Sequence, residues 1–492
     1  MNITNQLTSL AGDIPDAPAI ITGEGSLSFL ELEMALSWTV AAFQRAGLAP
    51  GDIVGIDLPD QIQHLLTALA LARLGAGQIS LQPSDAPQLL ARLSGSLNIT
   101  AIVAGTGATG DLSIIEPPPA RLGELKQLKS HPVQAAEDGA LPFLIMITSG
   151  TEGIPKACAV IHSHAAIRLG LSSHAQPSGP GCRFLSLTDM GFNGPKCRVF
   201  HALSSGGCLA FPENRRAAPL TEFIIKHRVN YLAGTSIHAA RLLAKSEKNH
   251  IRFPDVDALR ISSTLVPERL RQRIREQLSP NLYIGFGTTE TGTVALASPS
   301  LVRRVPGVVG KTVPGVHAEV IDDNNMPLPP GEVGRLRVKS RGLVQGYIGA
   351  PEISARVFRD GWFYGADLAE LTPGGELIHH GRADDMLIFD GVNIYPAEIE
   401  AVLLKHPRIA EAAAFSLPSD HHGDSPAAAI VSASPLSEQE LFDYCRPRLG
   451  SRAPKRFLLV HALPKNAAGK ISRIALRELA EPSKPDIAGE LT

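Results

Sequence analysis

The stretch TSGTEGIPK, residues 148–156, combines two glycines, three hydroxyl side chains, a proline and a lysine. It lies between the apolar runs LIMI and ACAVI, so the pattern predicts a glycine-rich turn between two strands. A Walker loop ends in GK[ST] and opens directly into a helix, and this stretch does neither. Its backbone amides and the hydroxyls of Thr148, Ser149 and Thr151 can surround phosphate oxygens, and Lys156 can add a positive charge. The alternative is an ordinary hairpin turn, because glycine and serine are common turn residues.

The sequence on either side of this turn alternates helical and strand patterns. The pattern predicts a helix over residues 27–47, a strand over 51–58, a helix over 61–76 and a strand over 99–105. A second set of the same kind runs from residue 141 to about residue 287. This alternation is typical of crossover units over a parallel sheet, and it predicts an α/β fold.

Two changes of character divide the rest of the chain. Glycine, proline and β-branched residues dominate from about residue 306 to residue 380, without a long helix, which indicates an antiparallel β subdomain. Beyond Gly381 the patterns of two helices and two strands predict a small α+β domain of its own. We therefore predict domains at residues 1–381 and 382–492, with HHGRADDMLIFDG as the hinge between them.

The overall composition is that of a globular protein with a small-molecule or protein partner. Among its 492 residues, 44% are hydrophobic and 19% are charged, and the formal net charge of −2 predicts no general attraction to nucleic acid or to an anionic membrane. No secretory pattern or apolar run of membrane length is found, and the five cysteines are scattered without metal spacing. These features predict a cytoplasmic protein with reduced thiols.

A second polar turn pattern, GFGTTETG, occupies residues 285–292 after the strand-like run NLYI. Phe286 could lie against a purine face, and Thr289 could bond a phosphate. Glu290 could hold a magnesium ion, which prefers carboxylate and phosphate oxygens. A polar turn without a ligand is the alternative.

The stretch WFYGADLAEL, residues 362–371, is followed by HHGRADD. A carboxylate on a turn at Asp367 could accept both hydroxyls of a ribose, and Arg382 could donate to the same sugar or to a phosphate. In the alternative interpretation, Asp367 only caps a turn.

The stretch LPKNAAGKISRIALREL, residues 463–479, places Lys470 on a loop just before a helical pattern. Such a lysine would be exposed and could neutralise charge that develops on a phosphate. Most exposed lysines are only solvated, so a functional role for Lys470 is supported only in combination with the other motifs.

The five motifs, in this order and at this spacing, resemble the adenylate-forming superfamily. That family includes acyl-CoA synthetases, firefly luciferase and the adenylation domains of nonribosomal peptide synthetases. The resemblance covers nearly the whole chain, and it implies a large N-terminal domain of stacked α/β sheets, a β-barrel-like subdomain and a small α+β C-terminal lid. It also implies ATP and Mg²⁺ as cofactors. In the family reaction a carboxylate attacks the α-phosphate of ATP to give acyl-AMP and pyrophosphate, and a thiol then captures the acyl group.

The resemblance assigns a role to each matching residue. Lys470 would bridge the substrate carboxylate and the α-phosphate, Thr289 would contact phosphate, Glu290 would hold the metal, and Asp384 would be the hinge about which the lid turns. The residues that would bind ATP or AMP are Thr148, Ser149, Gly150, Thr151, Gly153, Lys156, Ser263, Phe286, Gly287, Asp367 and Arg382.

Several positions depart from the family pattern, although no charged catalytic group is lost. Glu152 replaces a hydroxyl residue in the phosphate loop, Phe286 replaces a tyrosine, and Gly365-Ala366 stands where Thr-Gly normally precedes the aspartate. Ile388 stands where a lysine often follows, and Ser262-Ser263-Thr264 replaces a Gly-Gly-Ala stretch. These differences indicate a divergent branch.

The substrate and the acceptor are less constrained by the sequence. GVNIYPAEIE resembles acyl-CoA synthetases, and no carrier domain follows Lys470, so we expect coenzyme A as the thiol, with a separate phosphopantetheinyl carrier protein or a nitrogen nucleophile as alternatives. A relative that binds nucleotide without catalysis is disfavoured because Lys470 is retained. For the carboxylic acid pocket we expect Asp189, Phe192, Asn193, Lys196 and Gly234, which would suit a polar acid unless these polar side chains face solvent. We interpret the histidine pairs at 379–380 and 421–422 as surface or hinge residues.

Overall fold

The computed structural model describes residues 2–81, 97–105, 112–148, 156–173, 177–213, 217–249, 252–253, 255–263, 266–383, 387–389, 392–419, 423–465 and 470–480. The chain divides into two compact units. Unit 1 comprises residues 1–331, 336–365 and 371–378, and unit 2 comprises residues 332–335, 366–370 and 379–492.

Unit 1 contains most of the helices and strands. Its helices are α1 (Asn5–Asp13), α2 (Phe29–Arg45), α3 (Gln61–Leu74), α4 (Leu122–Leu125), α5 (His162–Ser173), α6 (Asn193–Ser204), α7 (Ala217–Lys226), α8 (Ser236–Asn249), α9 (Glu268–Gln277), α10 (Pro299–Arg304) and α11 (Pro351–Val357). Its strands up to the GFGTTETG motif are β1 (Pro18–Ile21), β2 (Ser26–Ser28), β3 (Ile53–Asp57), β4 (Gly77–Ser80), β5 (Ile99–Ala104), β6 (Ser113–Ile115), β7 (Pro142–Thr148), β8 (Lys156–Ile161), β9 (Arg183–Ser186), β10 (Cys208–Ala210), β11 (Tyr231–Gly234), β12 (Ala258–Ser262) and β13 (Leu282–Thr288). They are followed by β14 (Gly292–Ala297), β15 (Val308–Thr312), β16 (Val316–Ile321), β17 (Val333–Ser340), β18 (Phe358–Arg359), β19 (Trp362–Leu371) and β20 (Leu377–Arg382), of which β17, β19 and β20 carry residues of both units.

The helix boundaries follow local capping signals. Helix α2 starts after Ser28, whose hydroxyl accepts from the Glu31 amide at 3.2 Å while the Glu31 carboxylate accepts from the Ser28 amide at 2.8 Å. Helix α3 starts after Asp60, whose carboxylate accepts from the amides of Ile62 and Gln63. The helices predicted over residues 27–47 and 61–76 are therefore confirmed, each shortened by its caps.

Two sheets form the frame of unit 1. One has the order β6-β5-β3-β4-β7-β8 and is parallel except for the antiparallel pair β7–β8. The other has a parallel run β1-β10-β9-β11-β12-β13, which continues through the antiparallel strands β14 and β15. The alternating patterns thus predict the α/β class correctly, and the pairing of β15 with β14 and with Leu377–Ile378 of β20 is antiparallel as expected.

The core of unit 1 explains why its strands are apolar on both faces. One cluster contains Val54 of β3, Phe143 of β7 and Tyr231 of β11, so it fills the space between the two sheets. A second cluster contains Leu232 of β11 and Ile284 of β13 with side chains of α7, α8 and α9, so it covers the outer face of the second sheet. In the ranges described above, no helix is both long enough and apolar enough to cross a membrane.

Unit 2 has a small core of its own. Its elements after β20 are β21 (Leu387–Phe389), β22 (Val392–Ile394), α12 (Pro396–Leu403), β23 (Ile409–Ser419), β24 (Gly423–Ser432), α13 (Glu438–Leu449), a 3₁₀ turn (Gly450–Arg452), β25 (Arg456–Leu459) and α14 (Arg473–Ala480). The sheet β23-β24-β25 packs its alternating side chains against α12 and α13 on one face and against α14 on the other. The α+β character predicted for this region is confirmed.

Candidate functional site

The turn that carries Glu290 joins β13 to β14 and has a fixed backbone. The Thr291 hydroxyl accepts from the Thr288 amide at 3.2 Å, and the Thr288 hydroxyl accepts from the Thr291 amide at 3.3 Å. Gly287 faces the partner strand so closely that a Cβ there would lie 2.0 Å from the carbonyl oxygen of Gly292. The glycine and threonines of GFGTTETG therefore hold Thr289 and Glu290 at the tip of a rigid turn.

Arg168 of α5 holds this turn in place through hydrogen bonds to its backbone. Its guanidinium donates to the carbonyl oxygens of Glu290 at 2.7 Å, Thr289 at 3.3 Å and Gly342 at 2.8 Å. Burial lowers the pKa of Arg168 below its ordinary value, whereas the nearby Glu290 raises it. Because Arg168 binds backbone oxygens, it fixes the turn and leaves the Glu290 carboxylate to other partners.

The Glu290 carboxylate is 7% exposed and accepts one side-chain hydrogen bond within the described part of the chain, from the Tyr347 hydroxyl at 2.7 Å. The backbone around Tyr347 is fixed as well, since the Ile348 amide donates to the Ala157 carbonyl at 2.7 Å. Within the same described residues the Glu290 carboxylate has no ion pair. One of its oxygens is thus oriented by Tyr347, and the other is available to a ligand.

Lys156 lies next to the same tyrosine. It is the first residue of β8, directly opposite Thr148 in the antiparallel pair β7–β8, and its ammonium lies 5.5 Å from the centre of the Tyr347 ring. The strands on either side of the predicted turn are therefore antiparallel neighbours. Ser149, Gly150, Thr151, Glu152 and Gly153 lie outside the described residues, as does the side chain of Thr148.

The positions expected to contact adenine lie at the carboxyl ends of two parallel strands. Ser262 of β12 is in register with Gly285 of β13. Ser263 follows Ser262, and Phe286 follows Gly285. Ser263 has a φ of +69°, a left-handed conformation that favours glycine. Ser263, which replaces a family glycine, thus keeps a backbone conformation typical of glycine. Ligands of open α/β sheets bind in a crevice at the carboxyl ends of the strands, which is the edge where Ser263 and Phe286 lie.

In unit 2, Asp367 and Arg382 come together with a histidine. The Nε2 atom of His379 lies 2.9 Å from one Asp367 carboxylate oxygen, and Arg382 lies 3.9 Å from the other. Asp367 is only 7% exposed and belongs to the middle of β19, so the expectation that it lies on a turn is wrong. Gly365 lies two residues before it in the same strand.

The neighbouring His380 pairs with Glu370 at 3.2 Å. Both histidines are strand residues that face carboxylates, and the side chain of His380 is 37% exposed, which is compatible with a surface position. Alternation along β20 was the available signal, since it sends His379 and His380 to opposite faces. His421 and His422 and the predicted hinge residue Asp384 lie outside the described residues.

Lys470 is exposed in unit 2. The next residue, Ile471, forms an antiparallel bridge with Lys465, and the Ser472 amide donates to the Pro464 carbonyl at 2.9 Å. Helix α14 follows, and Arg473 fixes it by donating to the Ala414 carbonyl at 3.0 Å. The residues that follow Lys470 are therefore held in place by hydrogen bonds.

The residues expected in the acid pocket separate in the structure. Asp189 is exposed and lines a cavity of about 170 Å³ together with Leu187, His238 and Arg241, whereas Lys196 is fully buried and donates to the Gln78 side chain at 3.0 Å. Burial lowers the pKa of Lys196 to about 7. Lys196 therefore neither faces solvent nor lines this cavity. Phe192 is partly buried, Gly234 is buried at the end of β11 beside Leu187, and the side chain of Asn193 lies outside the description.

Comparison with known proteins identifies relatives along the whole chain. Residues 9–348 match the family described as AMP-binding enzyme, and residues 398–470 match the AMP-binding enzyme C-terminal domain. The chain is 27% identical to a 3-hydroxybenzoate–CoA ligase of Aromatoleum sp. (strain CIB), over 97% of each chain.

Two solved structures have the same fold. One is o-succinylbenzoate CoA synthetase from Bacillus subtilis in complex with its acyl-adenylate intermediate, with a TM-score of 0.85 and 23% identity over 99% of both chains. The other is an amide bond synthetase from Marinactinospora thermotolerans, with a TM-score of 0.85 and 22% identity over 97% of this chain and 99% of that chain.

Proposed function

The chain belongs to the AMP-binding enzyme family, and from this premise we propose that it is an AMP-forming acid–thiol ligase of the acyl-CoA synthetase kind. It activates a carboxylic acid with ATP to give an acyl-AMP and pyrophosphate, and it then transfers the acyl group to a thiol. The observation that supports this best is the grouping of Lys156, Tyr347 and Glu290, with a buried carboxylate whose second oxygen is not committed.

In the first half-reaction an oxygen of the acid attacks the α-phosphorus, and the bond to the β-phosphate breaks with its electron pair leaving on pyrophosphate. Lys156 and the loop before it hold the β- and γ-phosphates, and Lys470 offsets the repulsion between the two anions that must meet. Asp367 accepts from the ribose hydroxyls, and Arg382 assists it. The lid, residues 382–492, turns about Asp384 between the two half-reactions.

Glu290 is the residue that would hold Mg²⁺. In the described part of the chain, no group of three or more histidine, cysteine or acidic side chains could enclose a metal. That donor set fits magnesium, which commonly takes one carboxylate and completes its shell with phosphate oxygens and water. When bound, the ion neutralises charge on the phosphates, and Tyr347 keeps the carboxylate oriented towards it.

In the second half-reaction a thiol attacks the acyl carbonyl carbon, AMP leaves with the electron pair of the broken carbon–oxygen bond, and the thiol proton passes to solvent. Coenzyme A is the acceptor that we propose, and a phosphopantetheinyl carrier protein is the closest alternative. A nitrogen acceptor would use the same first step. Product formation from a preformed acyl-AMP with coenzyme A, a loaded carrier protein or an amine separates these acceptors.

The decisive experiment measures pyrophosphate release over a library of carboxylic and amino acids, followed by acceptor tests on the acids that react. Lys470→Ala should lower the rate of adenylate formation by about 100-fold, because comparable electrostatic contacts contribute about 3 kcal/mol to the barrier. The same variant should still form thioester from supplied acyl-AMP. An equal loss in both half-reactions would contradict the role given to Lys470, and a lack of pyrophosphate release with every acid would contradict the proposed function.

A further inference from the structure

Two arginines with no role in the activation chemistry described above come together inside unit 1. Arg198 belongs to α6 and Arg260 to β12, and we call them the basic pair. Arg260 is 3% exposed, and its Nη2 atom donates to the Thr293 hydroxyl at 3.3 Å. The buried Tyr231 lies beside both guanidiniums. The basic pair therefore places two positive charges in the core between the sheets.

The charge of Arg198 is not balanced within the described part of the chain. Its guanidinium donates no hydrogen bond and forms no ion pair there, and its Nε atom is buried without a partner. Burial, together with the charge of Arg260, lowers the pKa of Arg198 to about 10. The Nε2 atom of His201, one turn along α6, is also buried without a partner among the described residues. A buried cation beside another cation is costly, and an anion bound between them would offset that cost.

The position of the basic pair relates it to the activation site. Arg260 lies over Gly285, where a Cβ would come within 2.9 Å of its Nη2 atom, so the arginine occupies space that only a glycine leaves. Gly285 is on the strand that ends at Thr288, just before Glu290. At about 3.3 Å per residue, the basic pair lies roughly 10 Å along this strand from the turn. Arg198 is partly exposed as a whole residue, although its Nε atom is buried.

We propose that the basic pair binds a second carboxylate of the acid substrate, at the end opposite to the carboxylate that is activated. The substrate is then a dicarboxylic acid with its two carboxylates on opposite ends of a short chain or ring. Arginine suits this task because its planar fork matches both oxygens of a carboxylate. This inference rests on the proposed function, since it concerns the acid that the same site activates.

The test compares matched acids, each dicarboxylate with the monocarboxylate of equal length, by ATP-dependent pyrophosphate release. The dicarboxylates should have the higher kcat/KM by roughly 10- to 100-fold, the worth of hydrogen bonds to a charged group. In Arg198→Met the ratio of kcat/KM for the dicarboxylate to kcat/KM for the matched monocarboxylate should fall by a similar factor. Equal use of both acids, or an unchanged ratio in the variant, would overturn the inference.

Thermal unfolding provides a second readout that needs no turnover. Without ligand, Arg198→Met should have a Tm equal to or above that of the wild type, because the substitution removes repulsion and a buried unbonded donor. The control is Arg271→Met, which should lower Tm and keep the acid preference, since buried Arg271 donates to the carbonyls of Val266 at 2.8 Å and Val308 at 2.7 Å. A fall of Tm in Arg198→Met as large as that of the control would assign Arg198 a purely structural role and overturn the inference.

The same measurement distinguishes the two proposals. A dicarboxylate added without ATP should raise the Tm of the wild type and have a smaller effect on Arg198→Met. If that shift occurs and no acid releases pyrophosphate, the binding inference stands and the proposed function is wrong. If pyrophosphate is released mainly with monocarboxylates, the proposed function stands and the inference is wrong.

Discussion

Glu290 in unit 1 and Asp367 in unit 2 are equally buried carboxylates with different partners. Each is 7% exposed. Glu290 accepts from the neutral hydroxyl of Tyr347, and Arg168 binds its backbone carbonyl in place of its side chain. Asp367 faces two basic side chains, His379 at 2.9 Å and Arg382 at 3.9 Å. The comparison teaches that equal burial does not give two carboxylates the same role. The charge of the neighbouring side chains differs, and this difference suits Glu290 to a metal and Asp367 to accepting hydrogen bonds.

The physical consequence concerns what each carboxylate can still bind. Glu290 accepts from the neutral hydroxyl of Tyr347 and has the Arg168 guanidinium nearby, and a divalent cation brought by ATP would add a second positive charge. A carboxylate held by basic side chains already has much of its charge compensated, and it remains able to accept from hydroxyl groups. The two residues thus suit the metal and the ribose, respectively.

The largest effect is expected from Glu290→Gln. Removing the charge should lower the rate of adenylate formation by about 100-fold and raise the Mg²⁺ concentration needed for half-maximal rate, since one electrostatic contact to the phosphates is lost. Pyrophosphate release across a magnesium titration measures both effects.

The stability of the same variant sharpens the comparison. Glu290→Gln should leave Tm unchanged or raise it, because it removes a buried charge that forms no ion pair among the described residues, although the Arg168 guanidinium lies nearby. The matched control is Glu319→Gln, whose carboxylate is paired with Arg337, and this change should leave the magnesium dependence unaltered. A magnesium dependence equal to that of the wild type in Glu290→Gln would show that Glu290 does not hold the ion.

Asp367→Asn should have the next largest effect on activity. Its effect on stability should be opposite to that of Glu290→Gln. The KM for ATP should rise roughly 10-fold, the lower end expected for hydrogen bonds to a charged acceptor. Tm should fall, because the neutral amide no longer attracts His379 and Arg382. Steady-state kinetics at varied ATP and thermal unfolding without ligand check the two statements.

The neighbouring pair provides the control for this prediction. Glu370→Gln breaks the contact with His380 in the same two strands but on the opposite face, so its effect on stability should be similar and its KM for ATP unchanged. Equal changes in KM for the two variants would mean that Asp367 acts only through the fold of unit 2.

Much of the fold and part of the site follow from the sequence. Periodicity and capping signals locate helices such as α2 and α3, because these signals depend on neighbouring residues, and the order of the motifs predicts Lys156 and Glu290 as site residues. Tyr347 could not be found in this way. It is 57 residues from Glu290, and the two meet only because the chain around Tyr347 bonds to β8 and to the turn.

The other omissions have the same physical origin. His379 lies 12 residues from Asp367, and their contact depends on how β19 and β20 align. Arg198 and Arg260 are separated along the described chain by two strands and two helices, and neither lies in a motif. Contacts across a sheet require knowledge of register, which the local pattern of a single strand does not contain.

The smallest effect that the comparison predicts is that of Tyr347→Phe. The Glu290 charge remains and loses one hydrogen bond from a neutral donor; if this loss raises the barrier by about 1 kcal/mol, the rate of adenylate formation should fall about fivefold. The half-maximal Mg²⁺ concentration should rise as in Glu290→Gln but by less, because the carboxylate is present and only less oriented. The control Tyr364→Phe removes a hydroxyl that accepts from Arg337 at 3.1 Å and should leave the magnesium dependence as it is in the wild type. If Tyr347→Phe lowers the rate without moving the magnesium dependence, the hydroxyl acts through Lys156 or the phosphate loop, and the contrast between Glu290 and Asp367 no longer includes a positioning role for Tyr347.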